Sequence, residues 1–265
     1  MEYRELRCPP DDADWIHCLW LLWSAGGGVE SVVPDGRPEL VIHLGEPYAQ
    51  VDPDGTRRPQ RQVMVSGQLT RPIRLAPCGE AEIVGIRLSP ALAGRVLPIG
   101  ELTDQVVPLH EVNRRLAAAL LDAAASRQPA AERLAAVRAV LRRFARHEPD
   151  RLPIETVRTL DRGTPRLRDV ARACGVTPRT LQRRFREAVG VTAKMYHRIA
   201  RFRRAIRTLR SGRPAGVAAV AVLAGYYDQA HLIRDFRRFA GAAPSRFFQT
   251  GPGLAMALLG EGPDA

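Results

Sequence analysis

The sequence predicts an α+β chain with a β-rich N-terminal half and an all-α C-terminal part, and three observations carry that reading. Through residue 108, short apolar runs alternate with Gly- and Pro-containing turns. Beyond Pro90, Ala, Leu and Arg recur at helical spacing. Charge divides the same way: residues 1–150 hold 18 basic and 20 acidic residues, whereas residues 151–265 hold 22 basic and 8 acidic, a net +14. A chain of 265 residues that is 45% hydrophobic can bury a core in each of about two domains, which excludes disorder throughout.

The strands are expected at residues 16–23, 30–33, 40–44, 62–66, 73–76 and 81–88. Pro34-Asp35-Gly36 and Pro53-Asp54-Gly55 lie between such runs and read as turns, because Pro presets φ and Gly accepts a positive φ. Short strands at this spacing suit a sandwich or small barrel. Helices follow at 112–126 and 130–147. In the second, Leu134, Val137, Leu141 and Phe144 form an apolar stripe opposite Arg133, Arg138, Arg142 and Arg146. The stripe either packs on Leu116 and Leu120 as a helical hairpin or pairs with a second subunit. Pro149 and Pro153 then bracket a linker.

No uncharged apolar run reaches the ~18 residues of a membrane span, the longest being 15–23 and 215–227, so a soluble protein with no membrane partner is expected. The acidic start, Met1-Glu2-Tyr3-Arg4-Glu5, lacks the apolar stretch of a secretory leader, and a cytoplasmic location follows as an expectation. Cys8, Cys18, Cys78 and Cys174 share no C-x-x-C spacing, which argues for reduced thiols over a zinc knuckle or a disulfide framework.

The C-terminal part contains a repeat with a period of about fifty residues. Val170-Ala171 and Gly175 recur as Val220-Ala221 and Gly225; Leu181, Arg183 and Phe185 recur as Leu232, Arg234 and Phe236. Each copy continues to a glycine (Gly190, Gly241) and then to an aromatic residue (Tyr196, Phe247). Within a copy, an apolar-spaced helix runs into a Gly turn and a second helix starts at a capping residue, Thr177 before Pro178 or Asp228. That is a helix-turn-helix, twice.

In the second helices Leu181 with Phe185, and Leu232 with Phe236, stand four apart and define the buried face. The outward positions are then Arg179, Gln182, Arg183 and Arg186 in one unit, and Gln229, His231, Arg234, Arg237 and Arg238 in the other. Arg bridges guanine O6 and N7, and Gln bridges adenine N6 and N7, so these side chains suit reading of the major groove of double-stranded DNA. A merely solvated charged face is the better reading of any single Arg, but not of two capped units in a segment of net +14. Between them, residues 193–209 read as one helix with Tyr196, Ile199, Phe202, Ile206 and Leu209 on its apolar stripe. About 17 residues at 1.5 Å span ~26 Å, compatible with recognition helices about one DNA turn (~34 Å) apart.

The run from Val170-Ala171 through Gly175, Leu181, Arg183, Phe185, Gly190 and Tyr196 continues with Ala205 and Leu209. It then passes to Val220-Ala221, Gly225-Tyr226, Asp228-Gln229-Ala230-His231-Leu232, Arg234, Phe236, Gly241, Pro244 and Phe247. This pattern, over about residues 164–250, resembles the DNA-binding domain of AraC/XylS-type transcriptional regulators. The resemblance implies base contacts from Arg179, Gln182 and Arg183, and from Gln229, Ala230, His231 and Arg234, Ala230 through its methyl alone. Arg186 and Arg238 complete the expected DNA-binding set. Ala193 stands where the family usually has Pro, which is expected to loosen the start of the linker helix; Val222 and Leu223 are apolar where the family is mostly polar.

Val33-Pro34-Asp35-Gly36, Glu39-Leu40-Val41, Gly67-Gln68-Leu69-Thr70-Arg71-Pro72 and Glu101-Leu102-Thr103-Asp104 resemble the small cupin-like sensory modules of the same family. The fold implied is a cupin-like barrel or sandwich followed by a double helix-turn-helix. A metal-using cupin needs a tight His-x-His with further ligands, whereas His17, His43, Glu39 and Glu46 are isolated, so no metal or other cofactor is expected. Trp15, Trp20 and Trp23 either fill the core or line an apolar pocket.

The expected division is a sensory domain at 1–112, a helical connector at 113–163, the DNA-binding domain at 164–250 and a flexible tail at 251–265. The expected function is sequence-specific transcriptional regulation without catalysis, with DNA, RNA polymerase, a small-molecule effector and a second copy of the chain as partners. An alkyl-damage repair fusion is the enzymatic rival, and the scattered cysteines argue against it. A non-specific architectural DNA binder is the other, and two base-reading faces disfavour it.

Overall fold

The computed structural model describes residues 1–7, 16–125, 129–146, 149–163, 165–211, 216–249 and 253. The strands expected at residues 16–88 form, and four more join them. The ten described strands are β1 (Glu2–Arg7), β2 (Ile16–Ser24), β3 (Glu30–Val32), β4 (Glu39–His43), β5 (Tyr48–Val51), β6 (Arg57–Pro59), β7 (Val63–Ser66), β8 (Ile73–Pro77), β9 (Ala81–Leu88) and β10 (Val106–Pro108). They build an antiparallel six-stranded sheet, ordered β1-β2-β9-β4-β7-β10, and a four-stranded sheet, ordered β3-β8-β5-β6. The additional strands, β1, β5, β6 and β10, are short or carry charge on both faces, so apolar periodicity does not reveal them. Pro53-Asp54-Gly55 closes the β5–β6 hairpin, with Asp54 Oδ1 accepting from Thr56 N at 2.9 Å.

Strand β2 is buried on both faces. Leu19 and Leu21 pack toward the helices, while Cys18, Trp20 and Leu22 face the space between the sheets. Trp20 lies over Gly85, directly opposite in register, where a Cβ would stand 1.8 Å from the indole. A side chain at position 85 is therefore excluded by the aromatic ring that fills its place. Trp23 is half-buried against the helical side of the sheet, and Trp15 lies outside the described residues.

Helices α1 (Leu109–Ala125), kinked at Asn113, and α2 (Ala130–Phe144) cover the six-stranded sheet. Leu134, Val137 and Leu141 share one core with Leu116 and Leu120, so the stripe is covered within the chain as a hairpin. The linker expected between Pro149 and Pro153 is instead the start of α3 (Arg151–Arg162). Asp150 caps it, accepting from Leu152 N at 3.0 Å, and Pro153 falls in the first turn, where its missing N–H leaves no intrahelical bond unmade.

The remaining helices are α4 (Leu167–Ala173), α5 (Pro178–Val189), α6 (Ala193–Arg210), α7 (Val217–Ala224), α8 (Gln229–Ala240) and α9 (Pro244–Gln249). Ala193 does not loosen α6: Thr192 caps the helix, accepting from Met195 N at 3.2 Å, and Ala193 is buried. Residues 251–265, read as a tail, lie outside the described residues apart from Gly253.

The barrel shares a core with each helix-turn-helix unit. Val33 is buried in one core with Ile199, Phe202 and Phe236, so the turn after β3 docks on α6 rather than closing a hairpin. On the other side Ala91 joins the core of Leu181 and Phe185, and Thr103 Oγ1 donates to Gly190 O at 2.7 Å at the end of α5.

Candidate nucleic-acid interface

Each helix-turn-helix is assembled from local chemistry. Gly175 (φ +65°) and Gly225 (φ +83°) make the turns in the left-handed region that other residues resist. Thr177 Oγ1 then accepts from Thr180 N at 3.2 Å, and Asp228 Oδ1 from His231 N at 2.6 Å, so both second helices begin at the capping residues expected from sequence. Leu181, Phe185 and Val189 seat α5, and Leu232, Phe236 and Phe239 seat α8. Phe185 lies edge-on to Tyr196 of α6 at 5.7 Å, and Phe236 edge-on to Phe202 at 4.9 Å. The single helix α6 thus carries both units.

Facing away from these cores, α5 exposes Arg179, Arg183 and Arg186, with Gln182 half-buried at the margin. Helix α8 exposes Gln229, Ala230, Arg234, Arg237 and Arg238. His231 is half-buried beside Tyr226, ring centroids 5.1 Å apart, and burial together with the nearby Arg201 guanidinium lowers its pKa, holding it neutral near pH 7. The residues singled out on each helix therefore fall into two groups: an outward set of arginines with Gln229 and Ala230, and a flanking pair, Gln182 and His231.

Two features of this surface lie outside the residues expected from sequence. Glu187 lies among the α5 arginines and ion-pairs with Arg183 at 3.1 Å. Arg201 of α6 stacks over Tyr226 at 5.2 Å, which brings a guanidinium from the linker helix beside the start of α8. An acid four residues after an arginine is a sequence signal for the first; nothing local marks the second. Arg184, in contrast, pairs with Asp150 at the start of α3, so it belongs to the scaffold. On the second unit Val222 (72% exposed), Leu223 (66%) and Tyr227 (92%) stand in solvent, because the inner face of α7 is supplied by Val220, Ala221 and Ala224.

Among the described residues no three His, Cys, Asp or Glu side chains gather as a metal site, and no helix is long and apolar enough to cross a membrane. Cys18 is buried, Cys78 exposed and Cys174 half-buried.

Comparison with known proteins matches residues 170–250 to a helix-turn-helix domain family and residues 4–108 to a domain of unknown function, DUF6597. No curated protein matches the chain. Among solved structures, ToxT from Vibrio cholerae is similar over 94% of this chain and 98% of its own, at 10% identity and TM-score 0.49. The C-terminal domain of AraT, a response regulator from Geobacillus stearothermophilus, is similar over 38% of this chain and 86% of its own, at 19% identity and TM-score 0.36. A DNA-binding transcriptional dual regulator from Escherichia coli K-12 is similar over 40% and 95%, at 19% identity and TM-score 0.34. Residues 170–250 thus belong to a helix-turn-helix domain family, and residues 4–108 before them to a family without assigned function.

Proposed function

We infer that the chain regulates transcription by reading two successive major grooves of one DNA duplex, with α5 in one and α8 in the next. The observation that carries this is the pair of capped helices, both seated on α6 and both presenting arginine faces outward. At ~1.5 Å per residue the 18 residues of α6 span about 27 Å, close to the ~34 Å repeat of the double helix. Arg179, Gln182, Arg183, Arg186, Gln229, Ala230, His231, Arg234 and Arg238 are the proposed contacts. The outermost arginines suit guanine edges, Gln229 suits adenine, and the flanking Gln182 and His231 suit bases or phosphates at the groove wall.

In the proposed division, residues 1–112 form the sensory module, 113–163 the connector and 164–250 the DNA-binding domain. A small effector in the sensory module is supported by a cavity between its two sheets. RNA polymerase and a second copy of the chain are further proposed partners, and since the 134–141 stripe is already covered, a second copy would pair through another surface. No catalytic step is needed. Genome-wide occupancy of the tagged protein tests the reading: a recurring two-part motif beside promoters supports it, and uniform coverage without a motif refutes sequence-specific regulation.

A further inference from the structure

The two helix-turn-helix units depart from each other at the start of their second helices. Counted from the capping residue, Thr180 of α5 corresponds to His231 of α8, and the residue after the turn glycine is Val176 in one unit and Tyr226 in the other. Thr180 is satisfied locally, its hydroxyl 3.0 Å from Thr177 Oγ1. His231 instead lies edge-on to Tyr226, with ring centroids 5.1 Å apart and planes at 89°. Over the same tyrosine stands Arg201 of α6, its Cζ 5.2 Å from the ring centroid. The first unit has no aromatic residue at either position, so this stack of three side chains belongs to the second unit alone.

Tyr226 is a fixed platform: it is buried, and its N–H donates to Ala221 O at 2.8 Å. Arg201 Nε is buried without a hydrogen-bond partner, so the negative face of the tyrosine ring is what holds the guanidinium. The charged groups around His231 are Arg198 and Arg201 from α6 and Arg234 and Asp235 from α8, while the capping Asp228 accepts from the His231 backbone N–H and α7 carries no charge. Asp235 is itself committed to Arg198 at 2.6 Å. Burial lowers the His231 pKa most and Arg201 next; Asp235 opposes them, and Arg234 and Arg198 lower it further. A neutral imidazole offers one donor and one acceptor, which suits a base edge, whereas a protonated ring has two donors and suits phosphate.

We propose that Arg201 is a specificity-positioning residue: laid on Tyr226, it holds the His231 imidazole at the start of α8 as a reader of a base edge rather than a clamp on phosphate. This rests on the reading of α8 as a DNA-recognition helix. The stack sets where the imidazole sits, and the guanidinium sets which hydrogen bonds it can make.

Two variants of the full chain separate the charge from the stack. Arg201→Met removes the charge and keeps an arm over the ring; Arg201→Lys keeps the charge and loses the planar group. The His231 imidazole is titrated by NMR without DNA, and operator affinity is measured from about pH 5.5 to 8. Arg201→Met raises the His231 pKa, and its operator affinity climbs as pH falls through that range, while the wild type stays flat above about pH 6.5. Discrimination at the base pair read by His231 falls about fivefold. Arg201→Lys keeps the wild-type pH profile and loses part of the discrimination. In a His231→Gln background, Arg201→Met changes neither the pH profile nor the discrimination any further. An unmoved His231 titration in Arg201→Met, or losses of discrimination that add in the double variant, overturns the proposal. A lower Tm with neither change shows that Arg201 only packs, and overturns it as well. Unchanged discrimination in His231→Gln, or no operator binding by the wild type, sinks the reading of α8 beneath it, whereas the titration without DNA tests the stack independently of that reading.

Discussion

Arg183 and Glu187, four residues apart on the outer face of α5, form an ion pair in which one guanidinium nitrogen, Nη1, lies 3.1 Å from both carboxylate oxygens. Both side chains are about two-thirds exposed (64% and 60%), so water screens the pair and it contributes at most ~1 kcal/mol. Its effect is orientation: the acid holds the guanidinium along the helix. In the second unit Arg234 is followed four residues later by Arg238, a like-charge pair. The two units therefore present differently prepared arginines on their outer faces.

Arg183→Ala and Arg234→Ala should each cost about 1–3 kcal/mol on the best operator and relax preference at one or two base pairs. Arg58→Ala, on β6 and ion-paired with Asp52 at 2.7 Å, should do neither. Titrations against single-base operator variants decide it. Equal weakening on every sequence would move these arginines from bases to phosphates.

Glu187→Gln removes the acid from the exposed arginine face of α5. Binding to all sequences should tighten and its salt dependence steepen over about 50–200 mM, because one repulsion with phosphate is lost. Discrimination by Arg183 should fall, since its guanidinium is no longer oriented. A variant with unchanged salt slope and unchanged specificity would show that Glu187 does not face the duplex.

His43 makes the barrel acid-sensitive. Its folded pKa, about 4, lies below the ordinary histidine value of 6.5, so below pH 6.5 the unfolded chain binds the extra proton. Stability attributable to this group is present above pH 6.5 and is lost as pH falls through 4, by about 3 kcal/mol in all. His43→Gln should flatten that part of the stability profile. Chemical denaturation of both proteins at several pH values across the window gives the answer, and parallel curves would exclude His43 as the source.

A fragment of residues 149–265 should bind DNA with the steep salt dependence of the full chain, because both recognition helices and α3 are retained. It should melt below the full chain's helical part, since Val33 and Ala91 of the barrel are missing from its two cores. Circular dichroism melts with salt-dependent titrations measure both. A folded fragment without salt-sensitive binding would contradict the division of labour.

The sequence by itself determined the double helix-turn-helix, because every feature that makes one is local. Leu181 with Phe185 and Leu232 with Phe236 set the buried face, Gly175 and Gly225 the turns, and Thr177 and Asp228 the starts. Strands with clear apolar runs were equally legible, as at β2 and β9, whereas β1 and β6 escaped because edge strands need no apolar face. Pro153 does not mark a linker, since a proline in a helix's first turn looks the same in sequence as one that ends a helix.

Tertiary structure alone decided what lies far apart along the chain. Arg87 meets Glu5, Asp35 and Glu39 across more than one strand, and Gly36 meets Tyr196 across two domains. Side-chain periodicity reports only whether a face is buried, not which face covers it. The partner of a buried charge is chosen by packing, because an unpaired charge in the interior costs more than any local preference for helix or strand can offset. The buried Arg87 cluster and the seat of Gly36 on α6 arise from that choice, and so they become visible only once the chain has folded.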